Sequence, residues 1–124
     1  MDLKIYYCED CGNIVVMLKN SGVPVVCCGQ KMIELTPGTV DASLEKHVPV
    51  YRVEDSRVVV SVGAQEHPMT EEHFIEWVIL HTKQGSQHMA LHPGQKPEVT
   101  FPLNPGDEVT EVFAYCNLHG LWKA

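Results

Sequence analysis

The chain has 124 residues, 44% apolar and 20% charged, enough for one ordinary domain or two very small ones and typical of a folded chain. Its net charge of −7, with histidine neutral, argues against a protein built around a basic nucleic-acid-binding face. No apolar run approaches the ~20 residues that cross a membrane. Residues 1–7 lack the basic stretch and apolar core of a secretory signal, so a cytoplasmic location is expected.

Short β-branched and aromatic runs between turn residues predict strands at Lys4–Tyr7, Asn13–Leu18, Val23–Val26 and Lys31–Glu34. Thr36-Pro37-Gly38-Thr39 is a turn signal, which divides the chain into residues 1–36, a linker at 37–40 and residues 41–124. Beyond it, strands are predicted at Val50–Glu54, Val58–Val62, Phe74–Thr82, Gln87–His92, Glu98–Phe101 and Glu108–Tyr115. Helix signals are nearly absent. Thr70-Glu71-Glu72 has cap-like chemistry that admits one short turn at Thr70–His73, while Phe74 onward reads as strand. The pattern is all-β, and six or seven short strands over ~80 residues predict an antiparallel sandwich.

The first segment holds four of the five cysteines and no histidine, and the second holds Cys116 and all seven histidines. An odd cysteine count in a reducing compartment points to metal rather than to a complete set of disulfides. A segment of ~36 residues rarely folds on apolar burial alone, and thiolate–metal bonds supply the staple. Cys8-x2-Cys11 followed by Gly12 is a metal knuckle. Adjacent Cys27 and Cys28 are unusual, because aiming both at one ion is expected to distort a tetrahedron. That favours an iron redox site, with zinc as the open alternative.

Three clusters stand out in the second segment: Glu45-Lys46-His47, His67-Pro68-Met69 to His73, and Cys116-Asn117-Leu118-His119. Each lies between predicted strands, where loops at a sandwich rim converge. His81, His88 and His92 match no ligand pattern and read as structural or solvated.

Cys8, Cys11, Cys27 and Cys28 resemble the desulforedoxin-like domain of desulfoferrodoxin. The three later clusters resemble the active-site signature of superoxide reductase, in the same order and with every ligand position filled. The resemblance implies a two-iron, homodimeric protein whose second domain is an immunoglobulin-like β-sandwich. Iron would be held by the four thiolates in one centre. In the other it would have His47, His67, His73 and His119 in the equatorial plane and Cys116 on the axis. The implied reaction is one-electron reduction of superoxide to hydrogen peroxide, fed by a rubredoxin-like donor, with neither membrane nor nucleic acid as partner. Lys46 would steer the anion and order a protonating water, and Glu45 would swing onto ferric iron and help displace product.

Competing readings are a blue-copper carrier, a zinc-stabilised binding module, and a non-enzymatic electron carrier on the same fold. Copper sites of that kind usually add a Met after the last His, and no Met follows His119. The binding module leaves five convergent ligands to chance.

Overall fold

A computed structural model describes residues 3–124. The chain divides into two compact units, Met1–Thr36 and Pro37–Ala124. Among the described residues no helix is long and apolar enough to cross a membrane.

In the first unit β1 (Lys4–Tyr7) pairs antiparallel with β2 (Ile14–Met17) on one side and β5 (Ile33–Glu34) on the other. A separate two-stranded ribbon joins β3 (Val26–Cys27) to β4 (Gln30–Lys31). The strand expected at Val23–Val26 is therefore shorter, since Val23 is exposed and outside any ladder. The run expected at Lys31–Glu34 breaks at Met32. Its N–H donates to the Val25 carbonyl at 2.8 Å, and its side chain turns inward.

The second unit begins with Pro37 and Gly38, and the Gly38 N–H donates to the Leu121 carbonyl. Next comes a single helical turn, α1 (Leu44–His47), which the sequence pattern does not announce. Four residues are too few to show a 3.6-residue periodicity, and Val48-Pro49 ends the turn in extended backbone. The turn considered at Thr70–His73 is not helical. Thr70 and His73 instead exchange backbone N–H···O bonds of 3.0 and 3.2 Å and close a small loop.

The strands are β6 (Pro49–Glu54), β7 (Arg57–Val62), β8 (Ile75–Thr82), β9 (Ser86–Ala90), β10 (Glu98–Pro102), β11 (Val109–Cys116) and β12 (Gly120–Lys123). One sheet has the order β10-β7-β6 and the other β12-β11-β8-β9. This three-plus-four division of antiparallel strands is that of an immunoglobulin-like sandwich. Val58, Val60 and Val62 alternate inward from β7, with Val99 and Phe101 beside them on β10. They face Ile75, Val78 and Leu80 of β8 and Val112, Ala114 and Cys116 of β11. The central strands β7, β8 and β11 thus bring their ends to the residues that carry the chemistry.

Candidate metal centres

The thiol cluster forms from two tight turns. In the first, the Gly12 N–H donates to the Cys8 carbonyl at 2.8 Å and the Cys8 N–H to the Asn13 carbonyl at 2.9 Å, folding Cys11 back beside Cys8. The second explains the adjacent pair. Cys28 (φ 52°) and Gly29 (φ 72°) have the consecutive positive φ values of a type I′ turn, and Cys27 pairs with Gln30 across it. The left-handed residue swings the Cys28 side chain round to the face that Cys27 uses. All four sulfurs lie within 4.8 Å of one another, with Cys11–Cys27 at 3.6 Å and Cys27–Cys28 at 4.0 Å. Four thiolates ~2.3 Å from one tetrahedral ion are separated by about 3.8 Å. The Cys11–Cys27 and Cys27–Cys28 spacings are near that value, so the cluster can close on one ion, iron or zinc.

Charge tells the same story. N–H donation from Cys11 pulls the Cys8 thiol down to about 7. Hydrogen bonding among the crowded thiols pushes Cys28 up to about 12 and raises Cys27. Four thiolates need a cation in their midst.

In the second unit the four imidazoles form a square. Ring centroids run His47–His67 4.6 Å, His67–His73 4.6 Å, His73–His119 5.0 Å and His119–His47 4.9 Å, each pair steeply inclined. The His47–His73 diagonal is 6.2 Å. The Cys116 sulfur lies within 4.8 Å of the ligating atoms of His47, His67 and His73 and 3.8 Å from His119 Nδ1. Near all four rings at once, it stands on the axis of the square rather than at a corner.

Each ligand is placed by a different element. His47 ends α1, and its Nδ1–H donates to the Ser43 carbonyl at 2.7 Å. His67 follows β7, with its N–H on the Val62 carbonyl and its Nδ1–H donating to the Pro68 carbonyl at 2.7 Å. His73 precedes β8. Cys116 closes β11, and His119 lies in the turn to β12.

With both Nδ1 atoms protonated, Nε2 of His47 and of His67 present lone pairs to each other at 3.1 Å. His119 Nδ1 is also 3.1 Å from His47 Nε2, and His73 Nε2 is buried with no hydrogen-bond partner. Facing acceptors of this kind are stable around a cation and costly without one. The donor set, borderline imidazoles and one soft thiolate, fits iron or a similar transition metal.

Burial pushes the His47, His67 and His73 imidazoles down, His67 to about 4. They therefore stay neutral, as ligands must. Burial pushes the Cys116 thiol up, so a metal has to displace its proton. With metal removed, the unfolded chain binds more protons at His67 than the folded chain between pH of about 6.5 and about 4. Stability is then full above that window and falls as pH drops through it. The expected result is a melting temperature of the metal-free second unit that declines from pH 7 to 4.5, less steeply in His67→Gln. A flat profile would refute it.

Glu45 and Lys46 sit side by side on α1, Glu45 exposed and Lys46 half-buried. Lys46 adds to the downward shift of both His47 and His73, so its charge is felt at two corners of the square. Glu45 is held below the usual carboxylate range by hydrogen bonding to its own backbone N–H.

No motif singles out Trp122, a buried side chain whose ring lies 5.0 Å from His47 and whose indole N–H donates to the His119 carbonyl at 3.0 Å. Nor does one single out Gly63, which lies against the backbone of α1, or the carbonyls of Ser43 and Pro68. A carbonyl carries no sequence signal. Trp122 lay three residues from His119, the spacing that brings its indole to that carbonyl. His81, His88 and His92 lie outside both clusters.

The family model "Desulfoferrodoxin, N-terminal domain" matches residues 2–35, and "Desulfoferrodoxin" matches residues 39–124. A desulfoferrodoxin of Syntrophotalea carbinolica is 47% identical over 122 residues, 98% of this chain and 95% of the relative. One from Desulfarculus baarsii is 44% identical over the same shares. The crystal structure of the superoxide reductase from Treponema pallidum superposes with a TM-score of 0.83 at 36% identity, covering 99% of this chain and 97% of that one. Both metal clusters fall inside these matches, one in each family model, and the chain belongs to the desulfoferrodoxin family.

Proposed function

We propose that the protein is a superoxide reductase carrying two iron ions per chain. Cys8, Cys11, Cys27 and Cys28 hold one, and His47, His67, His73, His119 and Cys116 hold the other. The observation that carries this reading is the square of four imidazoles with one thiol on its axis, a group that no acidic side chain joins among the described residues. An iron ion there supplies one electron and an open coordination position to superoxide, which with two protons becomes hydrogen peroxide.

The protein's own groups prepare that exchange. Neutral imidazoles and a single thiolate leave a local positive charge that attracts an anion despite the net charge of −7, because screening limits distant charges to ~8–10 Å. Lys46 adds a cation beside His47 and His73, draws in the substrate, and holds the water that delivers a proton to the product. Glu45, ionised on the same turn, competes with the anionic product for the site. The thiolate centre passes in electrons from a rubredoxin-like donor, and the working protein is a homodimer. Five cysteines without a disulfide suit the reducing cytoplasm, where they remain available as ligands.

The test is metal content and visible and EPR spectra of natively purified protein, followed by rapid-mixing kinetics with superoxide. Two irons per chain and rapid stoichiometric peroxide formation are expected. Failure of the histidine cluster to take up ferrous iron anaerobically would end the reading. Lys46→Ala should slow superoxide capture about tenfold and flatten its ionic-strength dependence with iron still bound. An unchanged salt profile removes Lys46 from steering.

A further inference from the structure

His47 and His67 are oriented through their own rings, each by a carbonyl 2.7 Å from Nδ1. His73 is placed through its main chain. Its loop is closed internally by Thr70, whose N–H and hydroxyl both donate to the His73 carbonyl at 3.0 and 3.2 Å. Those bonds shape the loop but attach it to nothing beyond itself.

The attachment comes from Asn117. Its Nδ2–H donates to the Glu72 carbonyl at 3.0 Å, and its Oδ1 accepts the Phe74 N–H at 2.9 Å. Its backbone N–H donates to the Phe74 carbonyl at 3.2 Å. The carboxamide thus spans the residues on either side of His73. We infer that Asn117 is the positioning residue that fixes His73 relative to Cys116, an inference that rests on the iron-site reading above.

The register shows why a side chain is needed. β11 and β8 pair regularly from Glu111↔His81 to Tyr115↔Trp77, then shift by one residue and end at Cys116↔Ile75. The irregularity puts Cys116 at the last rung, and beyond it a single main-chain bond, from the Asn117 N–H to the Phe74 carbonyl, reaches toward His73. Asn117 extends the pairing beyond that rung, using a carboxamide where the ladder no longer offers both a donor and an acceptor. The axial thiol and one corner of the square become a single rigid unit. Outer groups of this kind typically carry about 10- to 100-fold in metal affinity.

The test compares the full chain with Asn117→Ala and Asn117→Asp. Ferrous iron alone is the probe, its affinity read anaerobically against a chelator. Amide exchange at Phe74 is followed in the metal-free proteins. Asn117→Ala should weaken binding at the histidine cluster about 10- to 100-fold and speed Phe74 exchange, while the thiolate site loads as in the parent. Asn117→Asp keeps the acceptor for Phe74 and should fall between the two. Parental affinity with parental Phe74 protection in Asn117→Ala overturns the inference and leaves the iron-site reading standing. So does an affinity loss accompanied by loss of protection throughout β8 and β11, which marks unfolding rather than misplacement. A parent protein whose histidine cluster takes no iron overturns the reading itself, and the inference with it.

Discussion

Stripping metal from the Cys8, Cys11, Cys27 and Cys28 cluster will unfold the first unit and leave the second folded. Among its described residues, the buried apolar side chains of that unit are Ile5, Cys8 and Met32. Leu18 is 87% exposed, Val23 71% and Val26 62%, so they contribute little to a core. So small a core leaves most of the entropy of ordering the unit unmatched, and the sheet ladders around β1 are short. Thiolate–metal bonds supply folding free energy directly in a unit of this kind, because the ligand set is not preformed in the unfolded chain.

Two measurements check this. Amide resonances of residues 3–36 should collapse to random-coil positions after anaerobic chelation, with those of 37–124 dispersed as before. Readdition of ferrous iron should restore them and release protons, because thiols of the unfolded unit, with ordinary values of about 8.5, are protonated at neutral pH and must ionise to bind. Persistent dispersion in the metal-free first unit would mean that its turns fold unaided. Cys11→Ser should reproduce much of the loss without a chelator.

The ligands were legible in the sequence because cysteine and histidine are themselves the chemistry, whatever the backbone does between them. The sandwich strands were legible where apolar residues alternate against a core, as in Val58, Val60 and Val62. Three features were not. The single turn α1 carries Glu45, Lys46 and His47 and is too short for a period. β12 is four residues, Gly120–Lys123, and takes its form from β11 rather than from its own pattern. The turn at Cys28 and Gly29 needs two positive φ values that a Cys-Cys-Gly sequence does not advertise, so the hairpin that aims both thiols at one cluster was not legible. Local pattern reports what faces a core. It does not report which main-chain groups hold a ligand.

Gly63→Ala will damage the histidine centre from outside the ligand set. A Cβ at Gly63 would lie 2.7 Å from the Val48 carbonyl oxygen, 2.8 Å from that of Glu45 and 3.0 Å from the Lys46 carbonyl carbon. All three are backbone atoms of α1 and its exit, so no side chain can rotate away, and the turn itself must move. That turn is fixed to the same loop by the Gln65 N–H, which donates to the Glu45 carbonyl at 2.8 Å. The loop also places His67 through the Val62 carbonyl. One methyl group therefore separates two corners of the square and shifts Lys46 with them. Overpacking of this kind costs about 1–3 kcal/mol, and a metal site misaligned by a few tenths of an ångström loses affinity besides. The expected variant melts at lower temperature, holds less iron at the histidine cluster, and captures superoxide more slowly with a flatter salt dependence. Its thiolate centre should keep its own spectrum, which makes that centre the internal control. Parental iron content, spectrum and salt profile together would show that α1 yields without moving its ligands, and that Gly63 does not hold the site.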